Sequence, residues 1–137
     1  MPYRVIDHTA DSGIHVLGAD YRELFAEAAH AMLDQIVDRR TLRASARQTL
    51  RVDGDNPADL MINWLREVLF LWDGRQVLVK RVRILSASRV ALTAELTGDP
   101  YDPARHKIRD EIKAVTYHQL EVNSTPHGWE ARIIFDV

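Results

Sequence analysis

The chain predicts an α+β fold: a single compact domain with a mostly antiparallel or mixed sheet packed with two main helices. Three observations carry that expectation. Two segments repeat apolar residues at helical spacing behind clear caps, several others alternate at strand spacing, and 137 residues without an internal repeat or long linker suit one domain over 1–137. A chain of this length buries about two-thirds of its unfolded surface on folding.

Tyr3 to Ile6 reads as a short strand entering a polar turn, Asp7 to Gly13, and Ile14 to Leu17 as a second strand ending at Gly18. A helix follows. Asp20 and Glu23 have capping-box spacing, and Leu24, Phe25, Ala28, Ala29, Met32, Leu33 and Ile36 recur on one face, with Arg39 and Arg40 suited to the C-terminal dipole. Arg47 to Val52 alternates strictly, with Leu50 and Val52 inward. Asn56, Pro57 and Asp59 begin a second helix, whose apolar run from Leu60 to Trp72 leaves only a narrow polar stripe of Asn63, Arg66 and Glu67. It should be the more buried helix.

Two strands then flank Ser86-Ala87-Ser88. The first changes phase near Lys80, from Val77 and Val79 to Val82 and Ile84, which predicts a bulge or a segment that leaves the sheet edge, while the second keeps Val90, Leu92, Ala94 and Leu96 on one face. Gly98 to Lys107 reads as a surface loop. A long strand, Glu111 to Asn123, turns through Ser124 to Gly128 into a final strand, Trp129 to Val137. In the long strand Ile112, Ala114, Thr116, Leu120 and Val122 form the apolar face. In the last, Trp129, Ala131, Ile133, Phe135 and Val137 point inward.

Composition excludes several functions. Apolar residues make up 46% and charged residues 28%, as in ordinary soluble proteins. No apolar run approaches the roughly 18 residues of a spanning helix, and the N-terminus lacks a signal-peptide pattern, so a cytoplasmic protein without membrane contact is expected. The absence of cysteine excludes disulfides, thiolate metal sites and cysteine nucleophiles. Eighteen Lys and Arg against twenty Asp and Glu, with no basic tail, give no overall field for nucleic acid, so strong direct nucleic-acid binding is not expected.

Two polar clusters stand out. Asp7-His8-Thr9-Ala10-Asp11 is too polar for core, and Asp136 lies next to the carboxylate of Val137. If the last two strands form a hairpin with their apolar faces together, Asp136 falls opposite Lys113, Val115 or Tyr117, so Lys113 and Asp136 are direct or diagonal neighbours. An oxygen-rich set of this kind suits a hard cation such as Ca²⁺ or Mg²⁺. The plain alternatives carry weight. Asp7 or Asp11 can cap a turn through its own backbone, Lys113 can be a solvated charge, and His118 on the apolar face suits a hydrogen-bonded core histidine. The tryptophans read as core, and no phosphate loop, nucleophile elbow or zinc motif is present.

Five segments together resemble the archease family: Asp7 to Ile14, Glu23-Leu24-Phe25 with Ala28-Ala29 and Ala31-Met32, Trp64 to Phe70, Glu111 to His118, and Gly128-Trp129 with the ending Phe135-Asp136-Val137. The resemblance runs in order over nearly the whole chain, with Val137 where isoleucine is frequent. It implies a non-catalytic accessory protein of the RtcB-type RNA ligase, active in tRNA splicing and RNA repair, which promotes guanylylation of the ligase and its multiple turnover. It also implies functional roles for Asp11, Lys113 and Asp136. Asp11, Asp136 and the Val137 carboxylate become ligands for a divalent cation, Ca²⁺ first, with Mg²⁺ or Mn²⁺ as alternatives, and Asp7 and His8 become flanking groups. Two other classes stay open: a general chaperone or modulator of methyltransferases, and a metal-dependent hydrolase, for which ligands and a general base are scarce. Homo-oligomerisation is also left open.

Overall fold

The computed structural model describes residues 3–7 and 11–137, and the side chains of Ile6, Asp7 and Asp11 fall outside that description. The elements are β1 (Tyr3–Asp7), β2 (Asp11–Gly18), α1 (Tyr21–Ile36), β3 (Ala46–Asp53), α2 (Pro57–Asp73), β4 (Val77–Ala87), β5 (Ala91–Pro100), β6 (Ala114–Thr125) and β7 (Gly128–Asp136). Two antiparallel sheets result, one in the order β1-β2-β7-β6 and one in the order β3-β5-β4. The expected α+β class and the helix pair are therefore both present.

The caps explain where the helices begin. Asp20 Oδ1 accepts the Glu23 N–H at 2.8 Å, and Glu23 returns a carboxylate to the Ala19 N–H at 3.2 Å, one residue before the position a standard capping box uses. In α2, Asn56 Oδ1 accepts the Asp59 N–H, with Pro57 opening the helix. Arg39 and Arg40 do not extend α1. That helix stops at Val37, and the arginines sit in a separate 3-10 turn, Arg39–Thr41, capped by Asp38.

Each helix packs on strands of both sheets: α1 on β2, β7 and β4, and α2 on β6, β4 and β3. The helices touch each other across Trp64, which is fully buried and donates its indole N–H to the Phe25 carbonyl at 2.9 Å. Burying a side chain of this size stabilises by about 3 kcal/mol, and the paired N–H removes the penalty it would otherwise carry. Gly128 closes the β6–β7 hairpin at φ +143°, where a Cβ would come within 2.3 Å of the Gly18 carbonyl oxygen. Only glycine fits there.

The bulge expected near Lys80 is present as a shift in the β4–β5 register between Val79 and Arg81. Other expectations fail. The Gly98 to Lys107 stretch is no simple surface loop: β5 runs through Pro100, and Asp99 and His106 are buried. Asp99 accepts from Arg105 at 3.0 and 3.1 Å, from the Arg43 N–H at 2.9 Å and from His106 Nε2 at 2.9 Å. The Asp102 N–H donates to His106 Nδ1, which leaves the Nε2 hydrogen for Asp99. Two polar residues are thus internal because each finds its partners there. Val90, expected inward, is exposed at the tip of the β4–β5 hairpin.

The largest departure is in β6. Near the turn, Val122 pairs with Ala131 and Glu121 with Arg132, but beyond a break at residues 117–120 the pairs are Thr116 with Ile134, Val115 with Phe135 and Ala114 with Asp136. Four residues of β6 stand against Ile133 alone, an excess of three, and an odd excess reverses which side chains face inward. Val115 is therefore buried where Ala114 and Thr116 were expected, and His118 is exposed in the break rather than in the core. Strand β6 starts at Ala114 rather than Glu111. Ile134 is buried, whereas Val137, past the last ladder pair, is 43% exposed rather than inward.

Candidate functional site

The second strand and the last, β2 and β7, lie side by side in the middle of the four-stranded sheet. Their register makes Asp11 and Asp136 direct Cα partners, with Ser12 next to Phe135 and Ile14 next to Ile133 anchoring the pairing through the core. On the other side of β7, Ala114 faces Asp136, and the Lys113 N–H donates to the Asp136 carbonyl at 2.7 Å. Asp7 ends β1 opposite Ser12. One end of this sheet therefore carries Asp7, Asp11, Lys113, Asp136 and Val137, drawn from four strands and their ends.

The expected opposition of Asp136 to Lys113, Val115 or Tyr117 is corrected to Ala114 by the phase reversal in β6. Lys113 stays adjacent through its backbone. Its side chain is exposed and makes no ion pair with the exposed Asp136 among the described residues. Instead Lys113 borders a hollow of about 210 Å³ beside Arg66, Phe70 and Asp73 of α2. His8 lies outside the described residues, as do the Asp7 and Asp11 side chains. Among the described residues no three His, Cys, Asp or Glu side chains gather as a metal centre.

The register still has an electrostatic consequence. Residues directly opposed in an antiparallel pair have Cβ atoms about 5 Å apart, and like charges placed so are destabilising. Asp11 and Asp136 form such a pair of acidic positions, and a cation is one way to relieve it. Carboxylate oxygens are the donors that hard divalent cations prefer.

No periodicity signals the break that sets the β6 register. Thr116 Oγ1 donates to the Ile134 carbonyl at 3.0 Å and accepts the His118 N–H at 3.2 Å, and Gln119 takes φ 51° without being glycine. Tyr117 turns out to α2, where its hydroxyl meets Asp59 at 3.1 Å and its ring lies under Arg66, 5.0 Å from the guanidinium carbon. Arg66 also donates to the Val115 carbonyl at 3.2 and 3.3 Å. The segment Lys113 to His118 is thus held between β7 and α2.

The family model for the archease protein family (MTH1598/TM1083) matches residues 3–137. The chain belongs to the archease family. A protein archease of Thermoplasma acidophilum is 38% identical over 137 residues, covering all of this chain and 94% of the relative, and one of Methanosarcina barkeri is 30% identical over 98% and 95%. Among solved archease-like structures, the solution structure of Methanobacterium thermoautotrophicum protein 1598 matches with a TM-score of 0.85 at 31% identity, covering 99% of both chains. The crystal structure of a Thermotoga maritima protein, described as an archease and possible chaperone, matches with a TM-score of 0.63 at 23% identity over 96% and 94%, and shares the fold.

Proposed function

We propose that this archease is a non-catalytic activator of an RtcB-type RNA ligase in the cytoplasm, acting in tRNA splicing and RNA repair. The observation that supports the reading best is the register that sets Asp11 opposite Asp136 with Lys113 bonded to the same strand end. Asp11 and Asp136, with Val137 beside them, would hold a divalent cation, Ca²⁺ or alternatively Mg²⁺ or Mn²⁺, with Asp7 and His8 flanking. Such an ion, when bound, supplies positive charge for phosphate oxygens. Asp136, exposed at the strand end where it pairs with Asp11, offers carboxylate oxygens that can enter a partner's cleft. Lys113 neutralises phosphate charge there or orients Asp136, so that the ligase histidine is guanylylated and turnover repeats.

Multiple-turnover RNA ligation by a cognate ligase tests this, with wild type, Asp11→Ala, Lys113→Ala and Asp136→Ala. Removing a group that supports a metal site costs about 10- to 100-fold, so stimulation should fall by at least about tenfold in folded variants. Folded variants that stimulate as well as wild type would remove these residues from the mechanism.

Exposed Phe70 and Tyr117, 51% and 55% accessible, favour a second reading in which an apolar surface protects client proteins such as methyltransferases. Suppression of client aggregation that survives Asp11→Ala and is lost in Phe70→Ser would support that role.

A further inference from the structure

A hollow of about 540 Å³ lies where the end of α1 meets β4, and cations dominate its lining: Arg39, Arg40, Lys80, Arg81 and Arg109 against Asp34 and Asp38. A second hollow of about 370 Å³ shares Asp38 and Arg109 with it and adds Lys107. The chain's net charge of −2 averages over this segregation.

Some of these cations have local duties. Arg39 pairs with Asp34 at 2.6 Å, Arg40 pairs with Asp38 at 2.8 Å, and Arg109 donates to the Asp34 carbonyl at the end of α1 at 3.0 Å. The negative end of a helix dipole accounts for such capping. It does not account for the rest. Lys80 gives two of its three N–H donors to the Arg39 and Leu42 carbonyls, at 3.2 and 2.8 Å, and has no carboxylate partner among the described residues. Arg81 and Lys107 are exposed, and among the described residues neither forms an ion pair or a side-chain hydrogen bond.

The β4 bulge supplies a second, independent observation. In a regular strand Lys80 and Arg81 would point to opposite faces, yet both line the same hollow because the register slips between Val79 and Arg81. A guanidinium fork and a partly sheltered ammonium are thereby turned toward one space, and Lys107 lines the adjoining hollow that shares Asp38 and Arg109 with it. A single carboxylate needs one such partner, whereas a phosphate presents several oxygens to a mixed set of point and fork donors.

We propose that this cleft is a binding site for a phosphate-bearing ligand, either successive phosphates of an RNA strand or the phosphates of a free nucleotide. The proposal is independent of the acidic strand end, because it uses none of its residues.

The test uses the whole protein and three probes: a labelled 20-nucleotide RNA, ATP and poly-glutamate, followed by fluorescence anisotropy and calorimetry. The variant Arg81→Glu/Lys107→Glu is compared with Arg47→Glu/Arg89→Glu, which makes the same change in net charge at exposed positions outside both hollows. Melting curves confirm that both are folded. Each single-strand phosphate contact contributes about 0.7 to the slope of log K against log salt, so three contacts give a slope of about −2 and two lost contacts weaken binding about 25-fold at 0.1 M salt. Binding of RNA that the cleft variant loses and the control keeps identifies a strand, and the same pattern with ATP alone identifies a nucleotide. Equal weakening in both variants, no binding of either phosphate probe at millimolar concentration, or poly-glutamate binding as tightly as RNA would overturn the site.

Discussion

Replacing Asp136 by asparagine should change the sign of its effect on stability according to whether a divalent ion is present. Asp11 and Asp136 are Cα partners at an exposed strand end. At a separation of about 5 Å in water, two unit charges repel by about 0.8 kcal/mol, and physiological salt reduces this to about half. In chelator, Asp136→Asn should therefore be more stable than wild type by about 0.4 to 0.8 kcal/mol. The Lys113 N–H bond to the residue 136 carbonyl survives the substitution, so the backbone pairing is not the variable. If the pair holds Ca²⁺ as proposed, then at about one hundred times the dissociation constant wild type should gain about 2.7 kcal/mol and the variant little of it, which would reverse the order. For a domain of this size that gain raises Tm by about 9 °C. Urea unfolding followed by fluorescence of the three tryptophans, in chelator and in Ca²⁺, measures both differences. A variant less stable than wild type in chelator, combined with no selective gain by wild type in Ca²⁺, Mg²⁺ or Mn²⁺, would refute the argument.

Acid should weaken the fold in two separable windows. Burial, with a contribution from the nearby Arg39 charge, pushes His30 down to about 4, and its Nε2 accepts the Val82 N–H at 3.1 Å, which a protonated ring could not do. The unfolded state then binds a proton near pH 6.5 that the native state refuses, so stability falls as pH drops from about 6.5 to 4, by about 2 kcal/mol between pH 7 and 4.5. Denaturation of wild type and His30→Gln at both pH values checks this, and equal slopes would contradict it. Asp99 acts lower. The Arg105 bonds, with those of Arg43 and His106, hold its carboxyl well below the usual range, so its contribution is complete above that range and disappears as pH falls through the folded value. Asp99→Ala leaves Arg105, His106 and the Arg43 N–H without their acceptor and should cost about 3 to 5 kcal/mol; a loss below about 1 kcal/mol in urea unfolding would contradict that.

The helices were legible because their signals are local: Asp20 to Glu23 and Asn56-Pro57 mark the starts, and a 3.6-residue period marks the faces. The β4 bulge was legible for the same reason, since a phase change shows in the residues that make it. The β6 break was not, because Tyr117, His118 and Gln119 carry no glycine or proline, and strict alternation carried the wrong parity past them to Lys113. Asp99 and His106 read as loop residues because polarity alone does not reveal a partner. The pairing of Asp11 with Asp136 was beyond any local rule, since the strands that carry them are separated by nearly the whole chain. Family resemblance singled out those residues, and the sheet order supplies a physical reason for their adjacency.

The two irregular strands share one consequence. A bulge in β4 brings Lys80 and Arg81 to a common hollow, and the break in β6 reverses Val115 into the core while Lys113 stays at the exposed end beside Asp136. Regular ladders would have cost less in unpaired backbone, and bulges are over-represented where a strand must re-aim a side chain. Straightening them would keep the flanking pairs in both places. Deleting Lys80 would preserve the Val79–Gly98 and Arg81–Thr97 pairs and remove one cation from the hollow, and deleting three residues from 117–120 would preserve both the Val115–Phe135 and Val122–Ala131 pairs. The β6 insertion is therefore dispensable for the pairing on either side of it. What it adds is the Tyr117 contact with Asp59 and Arg66, which ties the strand leading to Lys113 and Asp136 onto α2.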